Sequence, residues 1–515
     1  MRANMVAVVS VAVILTLSSD ELLAAPQCES NELEQLLASD GARGSRFGSS
    51  VSLDGDTALI GAEYDPVDPV DIEIGPGSAY IFRYDGTRWV EMQKLTASDG
   101  ADDDRFGHAV SLEGCWCLIG AHADEIGTSR RQGSAYVFRY DGTQWIEAQK
   151  LTASDGTADA GFGYSVALYG AVALVGTRRG VVAGVEQGAA YVFRFDGTRW
   201  VEQQKLTASD GAAWDGFGWS VSLSGSLALI GAPGDDVASA INQGSAYAFR
   251  YDGTGWVEVR KLTASDGKAD DFFGDSVSLN DGVALVGRPG TWPGTDPGAA
   301  YVFREKGSQW VEEHTLLASD GEVGDMFGSS VATRGDLALV GALLDDCPSW
   351  DQGSAYLFRY DGRGWAQQQK LIASDGGPTD DMFGNSVALS RDLALVGAAA
   401  DWTGDAHERG AAYVFAAYPD LALTADPGLV FPGDLLTLET RWGESGDPVA
   451  LAAIEVNGTE VFQVVLLGRF GAHRKWLASA VVPPGLTGIE ATFRSYGITI
   501  CGSIDESNKV SVTFR

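Results

Sequence analysis

The pair Phe-Gly recurs seven times along the chain, at Phe47, Phe106, Phe162, Phe217, Phe273, Phe327 and Phe383, in steps of 59, 56, 55, 56, 54 and 56 residues. Two residues separate each pair from a valine (Val51, Val110, Val166, Val221, Val277, Val331, Val387). Each pair is preceded by Ser-Asp-Gly, with aspartates at Asp40, Asp99, Asp155, Asp210, Asp266, Asp320 and Asp375. A fixed period of this length means one supersecondary unit copied and stacked, so the fold follows from the unit.

The second unit resolves into four runs: FGHAVSL, CWCLIGA, GSAYVFRYDG and TQWIEAQKL. Valine, tyrosine, phenylalanine and tryptophan enrich them, and glycine or aspartate punctuates them, as in short strands. The Asp-Gly between the third and fourth runs predicts a hairpin turn. It recurs at Asp85, Asp141, Asp196, Asp252 and Asp361, with Lys306-Gly307 in the fifth unit. The third strand is apolar on both faces, with Tyr136 and Phe138 on one and Ala135 and Val137 on the other, which suits a sheet packed between two others. Four antiparallel strands repeated seven times predict an all-β fold, a seven-bladed β-propeller.

Closure is legible as well. The seventh unit stops at its third strand, AAYVFAAYPD, and the missing fourth strand stands at the other end of the chain as ELEQLL, Glu32 to Leu37. Its addition to the last blade predicts a ring without an open edge.

The pattern FG-x-SV-x-L, then L-[IV]-GA, then G-S-A-Y resembles the FG-GAP repeats of integrin α-subunit propellers; it stands here as FGSSVSL, ALIGA and GSAYIF in the first unit and as FGWSVSL, ALIGAP and GSAYAF in the fourth. The resemblance covers roughly residues 31–419 and implies a propeller exposed outside the cell and used for recognition. Such repeats often carry an Asp-x-Asp-x-Asp-Gly calcium loop between their first two strands. Here that turn reads LDGDTAL, LEGCWCL, LYGAVAL, LSGSLAL, LNDGVAL, TRGDLAL and LSRDLAL, and only Asp54 and Asp56 hint at the six to eight oxygens that calcium takes. No cofactor is expected, and any calcium binding would be weak.

In such a blade the 1–2 and 3–4 hairpins share one face, while the 2–3 loops and the inter-blade links share the other. Nearly all length variation falls on the second face, where function tends to sit. Its loops carry Trp214, Trp292, Trp350 and Trp402, candidate anchors for a protein or glycan. They also carry the acidic pairs Asp235–Asp236 and Asp345–Asp346, candidates for a basic partner or cation. The tryptophans at 89, 145, 200, 256, 310 and 365 recur at one strand position and read as core. The Ser-Asp-Gly copies read as turns in which aspartate bonds the backbone two residues on. Arg83, Arg139, Arg194, Arg250, Arg304 and Arg359 read as surface cations stacked on or paired with a neighbouring strand. Arg334-Gly335-Asp336 spells an adhesion tripeptide but occupies a 1–2 turn on the tight-turn face, and reads as coincidence.

Charge narrows the partners. Lysine plus arginine is 36 against 70 aspartates and glutamates, a net charge of −34, which argues against nucleic acid and anionic membrane surfaces. Met5 to Leu17 is an apolar stretch of 13 residues behind Arg2, followed by small residues near Ala25. It reads as a secretory signal over residues 1–25, too short to span a bilayer. The mature protein is thus expected to be secreted, cell-surface or periplasmic, without a membrane span. Five cysteines give no disulfide framework. Cys115 and Cys117, two apart on a strand, read as buried thiols, with a metal pair or a disulfide as alternatives; a zinc site would need two more ligands, His108 and His122 being the tempting neighbours. His108 follows a Phe-Gly pair on an inner strand and reads as packed, with the central channel as its alternative surrounding.

From about residue 420 the repeat stops. The runs DLLTLETRW, ALAAIEVNGTEVFQVVLL, KWLASAVV, GIEATFRSY and KVSVTFR, with Asn457-Gly458 as a hairpin turn, predict a small β-sandwich, immunoglobulin-like in size, over 420–515. No H-E-x-x-H, G-x-S-x-G or P-loop is present. The expected function is binding or adhesion toward an extracellular protein or glycan, with a structural matrix role or a polysaccharide-directed enzyme as alternatives.

Overall fold

The computed structural model describes residues 32–417, apart from 67–74, 291–295, 308, 347–350, 376–380, 391, 401 and 404–406, together with short strands between 435 and 481. Seven four-stranded antiparallel sheets form the blades. In blade 1 the strands are Phe47–Asp54, Thr57–Ala62, Ser78–Tyr84 and Trp89–Leu95, from the innermost outward. Each innermost strand packs on those of the next and previous blades, and the strand starting at Phe383 packs on the strand starting at Phe47, so the ring closes.

Closure uses the segment that the sequence points to. Glu32–Leu36 pairs antiparallel with Ala411–Ala416, with Glu32 opposite Phe415 and Leu36 opposite Ala412, and completes blade 7. Side chains lock the seam: Ser374 N–H donates to Glu32 and the Trp89 N–H donates to Glu34. The same seam recurs around the ring, where Gln93, Gln149 and Gln204 each bond both the N–H and the C=O of the next blade's tryptophan.

The core lies between blades. Tyr136 and Phe138 pack with Phe106, Leu59 and Ala79 on the blade 1 side, while Ala135 and Val137 pack with Phe162 on the blade 3 side. In every blade the phenylalanine of Phe-Gly lies edge-on or tilted against the tyrosine of the third strand, with centroids 5.4–5.5 Å apart. The repeated tryptophans are buried, as Trp200 at 3% exposure illustrates.

The glycines of the repeat have a steric cause. Gly274 takes φ +94°, and its carbonyl lies where a Cβ on Gly231 of the preceding blade would sit, 2.0 Å away. The same abutment joins Gly61 to Gly107, Gly341 to Gly384 and, across the closure, Gly397 to Gly48. A serine on the inner strand caps the contact: Ser50, Ser165, Ser220, Ser276, Ser330 and Ser386 donate to the next blade's glycine carbonyl at 2.6–2.9 Å. Blade 2 carries Ala109 at this position.

Two sequence readings are corrected. The Ser-Asp-Gly turns form, with Gly41 N–H bonded to Ala38 C=O, but the Asp40 carboxylate is directed elsewhere. It accepts from the Tyr80 hydroxyl at 2.8 Å and from Lys94 at 2.7 Å. Cys115 is disulfide-bonded rather than a thiol, and lies just ahead of the strand Trp116–Ala121, whereas Cys117 is a buried free thiol pushed up in pKa by burial. The arginine reading fits: Arg359 pairs with Asp336 at 3.1 Å, and Arg139 lies over Trp116. The signal segment and the sandwich fall outside the described residues, apart from a hairpin that pairs Leu451–Val456 with Thr459–Val465.

Candidate functional site

Several of the aspartates described on the variable-loop face are internal to the scaffold. Asp235 and Asp345 are 4% and 5% exposed. Each accepts from a third-strand serine (Ser245, Ser354) and from a fourth-strand lysine, Lys261 at 2.6 Å and Lys370 at 2.7 Å. Asp65 and Asp124 sit identically against Lys94 and Lys150, both at 2.7 Å. Asp104, Asp215 and Asp325 are also buried and accept backbone N–H groups of the links at 2.6–2.7 Å. Burial, and then the nearby loop aspartate, push all three up to about 6 despite those bonds. The partners Asp236 and Asp346 are exposed and accept from the N–H groups of Asn242 and Asp351. Asp235 and Asp345 are therefore occupied by the fold, because a buried carboxylate must be paired.

Trp214 is where the sequence predicts, 65% exposed, with its backbone at φ +76° and its N–H bonded to Glu186 C=O. Trp292 and Trp350 lie outside the described residues. Trp402 belongs to a short strand, Trp402–Thr403, whose side chains lie outside them as well.

The sequence reading did not single out the channel mouth as a whole. Each inner strand begins on the variable-loop face, so the residue after each Phe-Gly stands at the mouth. These are Ser49, His108, Tyr164, Trp219, Asp275, Ser329 and Asn385. Around them the framework repeats; at this position it does not. The residue after the second strand varies as strongly, from Glu63 and His122 to Arg178, Pro233 and Pro289.

Over blades 1 to 3 these residues form a charged and aromatic cluster. His108 Nδ1 lies 2.7 Å from Glu63, which Arg46 approaches at 3.2 Å and Arg105 at 3.9 Å. Burial opposes ionisation of Glu63, but the His108 hydrogen bond and these cations hold its carboxyl below the usual range. The His108 ring lies 4.2 Å from that of His122 and 4.8 Å from that of Tyr164. Burial, then neighbouring positive charge, pushes His122 down to about 2, so it is neutral. Among the described residues no group of three or more His, Cys, Asp or Glu is placed to hold a metal.

Over blades 3 to 6 the mouth opens into a pocket of about 520 Å³. Arg178, Arg179, Trp214, Trp219 and Asp275 line it, with Pro233, Phe272, Pro289 and Met326 supplying apolar wall. The Arg178 guanidinium lies 4.6 Å from the Tyr164 ring and 5.6 Å from the Trp219 ring. Burial pushes Asp275 up to about 7, although the Trp219 indole donates to it. The Arg-Gly-Asp turn is remote, on the opposite face: Gly335 N–H is bonded to Asn280 and Asp336 to Arg359.

The model of the FG-GAP repeat family matches residues 31–82, 89–138, 145–193, 200–249, 256–303, 310–358 and 365–415. Each match runs from the outer strand of one blade through the third strand of the next, so the sequence repeat is offset by one strand from the blade. That offset is what leaves residues 32–36 to complete blade 7. With seven matched repeats, one per blade and together most of its length, the chain belongs to the FG-GAP repeat family, with a propeller of the integrin α N-terminal kind.

Proposed function

We propose that the protein is an extracellular binding or adhesion protein that recognises its ligand on the variable-loop face, at the channel mouth. One observation carries this reading. Seven near-identical blades present seven positions after Phe-Gly, and there the side chains diverge to imidazole, phenol, indole and carboxyl. A scaffold whose strands repeat while the residues around one concave opening diverge has the form of a recognition surface. Propellers of this family are typical of extracellular proteins, and no helix of the described residues is long and apolar enough to cross a membrane. The loop aspartates Asp65, Asp124, Asp235 and Asp345 are held by lysine together with serine or tyrosine, which suits a structural role for them better than a catalytic one.

The test is capture of partners from cell-surface and matrix extracts by immobilised protein. Trp219→Ala with Arg178→Ala is compared with Arg363→Ala, an exposed hairpin residue on the opposite face. Loss of a partner only in the first variant supports the reading. Equal capture by both variants, or loss only in Arg363→Ala, overturns it.

A further inference from the structure

Within the mouth, the pocket over blades 3 to 6 departs from the charge of the molecule. Carboxylates outnumber cations 70 to 36 in the chain, and several other arginines of this face are ion-paired: Arg46 with Glu63, Arg105 and Arg131 with Asp103, and Arg288 with Asp271 and Asp296. Arg178 and Arg179 have no carboxylate within ion-pair distance among the described residues. Arg178 is instead held by aromatic faces, and Arg179 lies 5.8 Å from the exposed Trp214 ring. Two guanidiniums thus line the pocket beside aromatic rings, with their hydrogen-bonding forks uncommitted to a carboxylate. The carboxyl in the wall, Asp275, is pushed up to about 7 by burial and so offsets them only in part at neutral pH.

We propose that this pocket binds a uronic-acid residue of an acidic glycan, its carboxylate on Arg178 and Arg179 and its ring against Trp214 and Trp219. The inference rests on the variable-loop face being the binding face. Guanidinium recognises carboxylate through paired N–H donors. An indole face suits the apolar C–H face of a pyranose, and the pocket volume falls in the range of small-ligand sites. A free phosphate would satisfy the arginines and leave the two indoles and the apolar wall unused. The net charge of −34 repels a densely charged polyanion, so the fitting glycan carries its carboxylates sparsely.

The experiment is calorimetric titration of the full chain with oligosaccharides that carry a single hexuronate residue among neutral sugars, their carboxyl-reduced counterparts, neutral oligosaccharides and a glutamate-rich peptide. The hexuronates are expected to bind, and carboxyl reduction or the Arg178→Gln/Arg179→Gln pair to weaken binding by about tenfold or more. Arg178→Lys, which keeps the charge and loses the fork, is expected to fall between. Unchanged melting temperatures establish that the variants fold. Equal binding of reduced and acidic sugars, indifference to the arginine pair, arginine-dependent binding of the peptide in place of the sugars, or no binding of any sugar each overturns the inference. If the sugars fail while extract capture still depends on the mouth, only the ligand class is wrong. If that capture fails too, the binding-face reading falls with it.

Discussion

Replacing Lys370 tests whether the tyrosine–aspartate–lysine sets hold the blades together. Lys370 and Asp345 have side chains 7% exposed, with Nζ 2.7 Å from Asp345 and 2.8 Å from Asp320. Tyr356 donates to Asp320 at 3.0 Å. Lys370→Thr leaves the Asp345 carboxylate buried with the Ser354 hydroxyl as its remaining side-chain donor. Breaking a buried pair from one side costs ~3–5 kcal/mol. At ~2.1 cal/mol/K of unfolding entropy per residue over the propeller, that lowers the melting temperature by roughly 4–6 °C. The fold contains its own precedent, because blade 5 has Thr315 where blade 6 has Lys370. The double variant Lys370→Thr/Asp345→Thr is expected to recover more than half of the loss. Scanning calorimetry or urea unfolding reads both. The charges of Asp345 and Asp320 raise the pKa of Lys370 although burial opposes them. Its stabilisation is thus complete below the ordinary lysine pKa and fades only as pH rises through the raised value. A single variant costing under ~1 kcal/mol, or a double variant no better than the single, would show that the buried charge is not what the lysine answers.

Other outcomes follow from particular contacts. Ala109→Ser supplies the donor that blade 2 lacks toward the Gly163 carbonyl and is expected to stabilise by ~0.5–1 kcal/mol in urea unfolding. Gly231→Ala forces a Cβ to within 2.0 Å of the Gly274 carbonyl and is expected to cost on the order of 3 kcal/mol. Gly364→Ala, with nothing within 4 Å, is expected to stay within about 0.5 kcal/mol. Asp275→Asn removes a carboxyl whose pKa of about 7 lies above the ~3.9 of an unfolded chain. Below pH ~4 both states are protonated and the variant should match the native protein. Between ~4 and ~7 the unfolded chain ionises first, so the variant should gain ~2–4 kcal/mol by pH 8. A pH-independent difference would refute that assignment.

The blade count, the closure and the buried tryptophans are legible because each is stated several times in register, at spacings that only one architecture satisfies. The mouth is hidden for the opposite reason. Residues that meet there, such as Tyr164, Arg178, Trp219 and Asp275, come from three blades and share no residue type, so no motif announces them. Their shared position after Phe-Gly or after the second strand was the available signal. Asp235 and Asp345 misled because a loop aspartate reads as solvated. Their lysines stand on the fourth strand, and the tyrosine and serine on the third. The recurrence of lysine at 94, 150, 261 and 370 with loop aspartate at 65, 124, 235 and 345 carried the pairing. For Cys115, two residues from Cys117, spacing says nothing about a distant partner.

The seam in blade 7 also sets a direction. Glu32, where the chain enters the propeller, stands opposite Phe415, next to where it leaves. Entry and exit therefore lie side by side at the hairpin end of the blade, away from the loops that surround the mouth. Anything tethered beyond residue 417 pulls from beneath the disc, and the pocket looks outward from that attachment. Tension on the tail would peel Ala411–Ala416 from Glu32–Leu36 starting at the Phe415 end, while the pocket over blades 3 to 6 stays clear of the line of force.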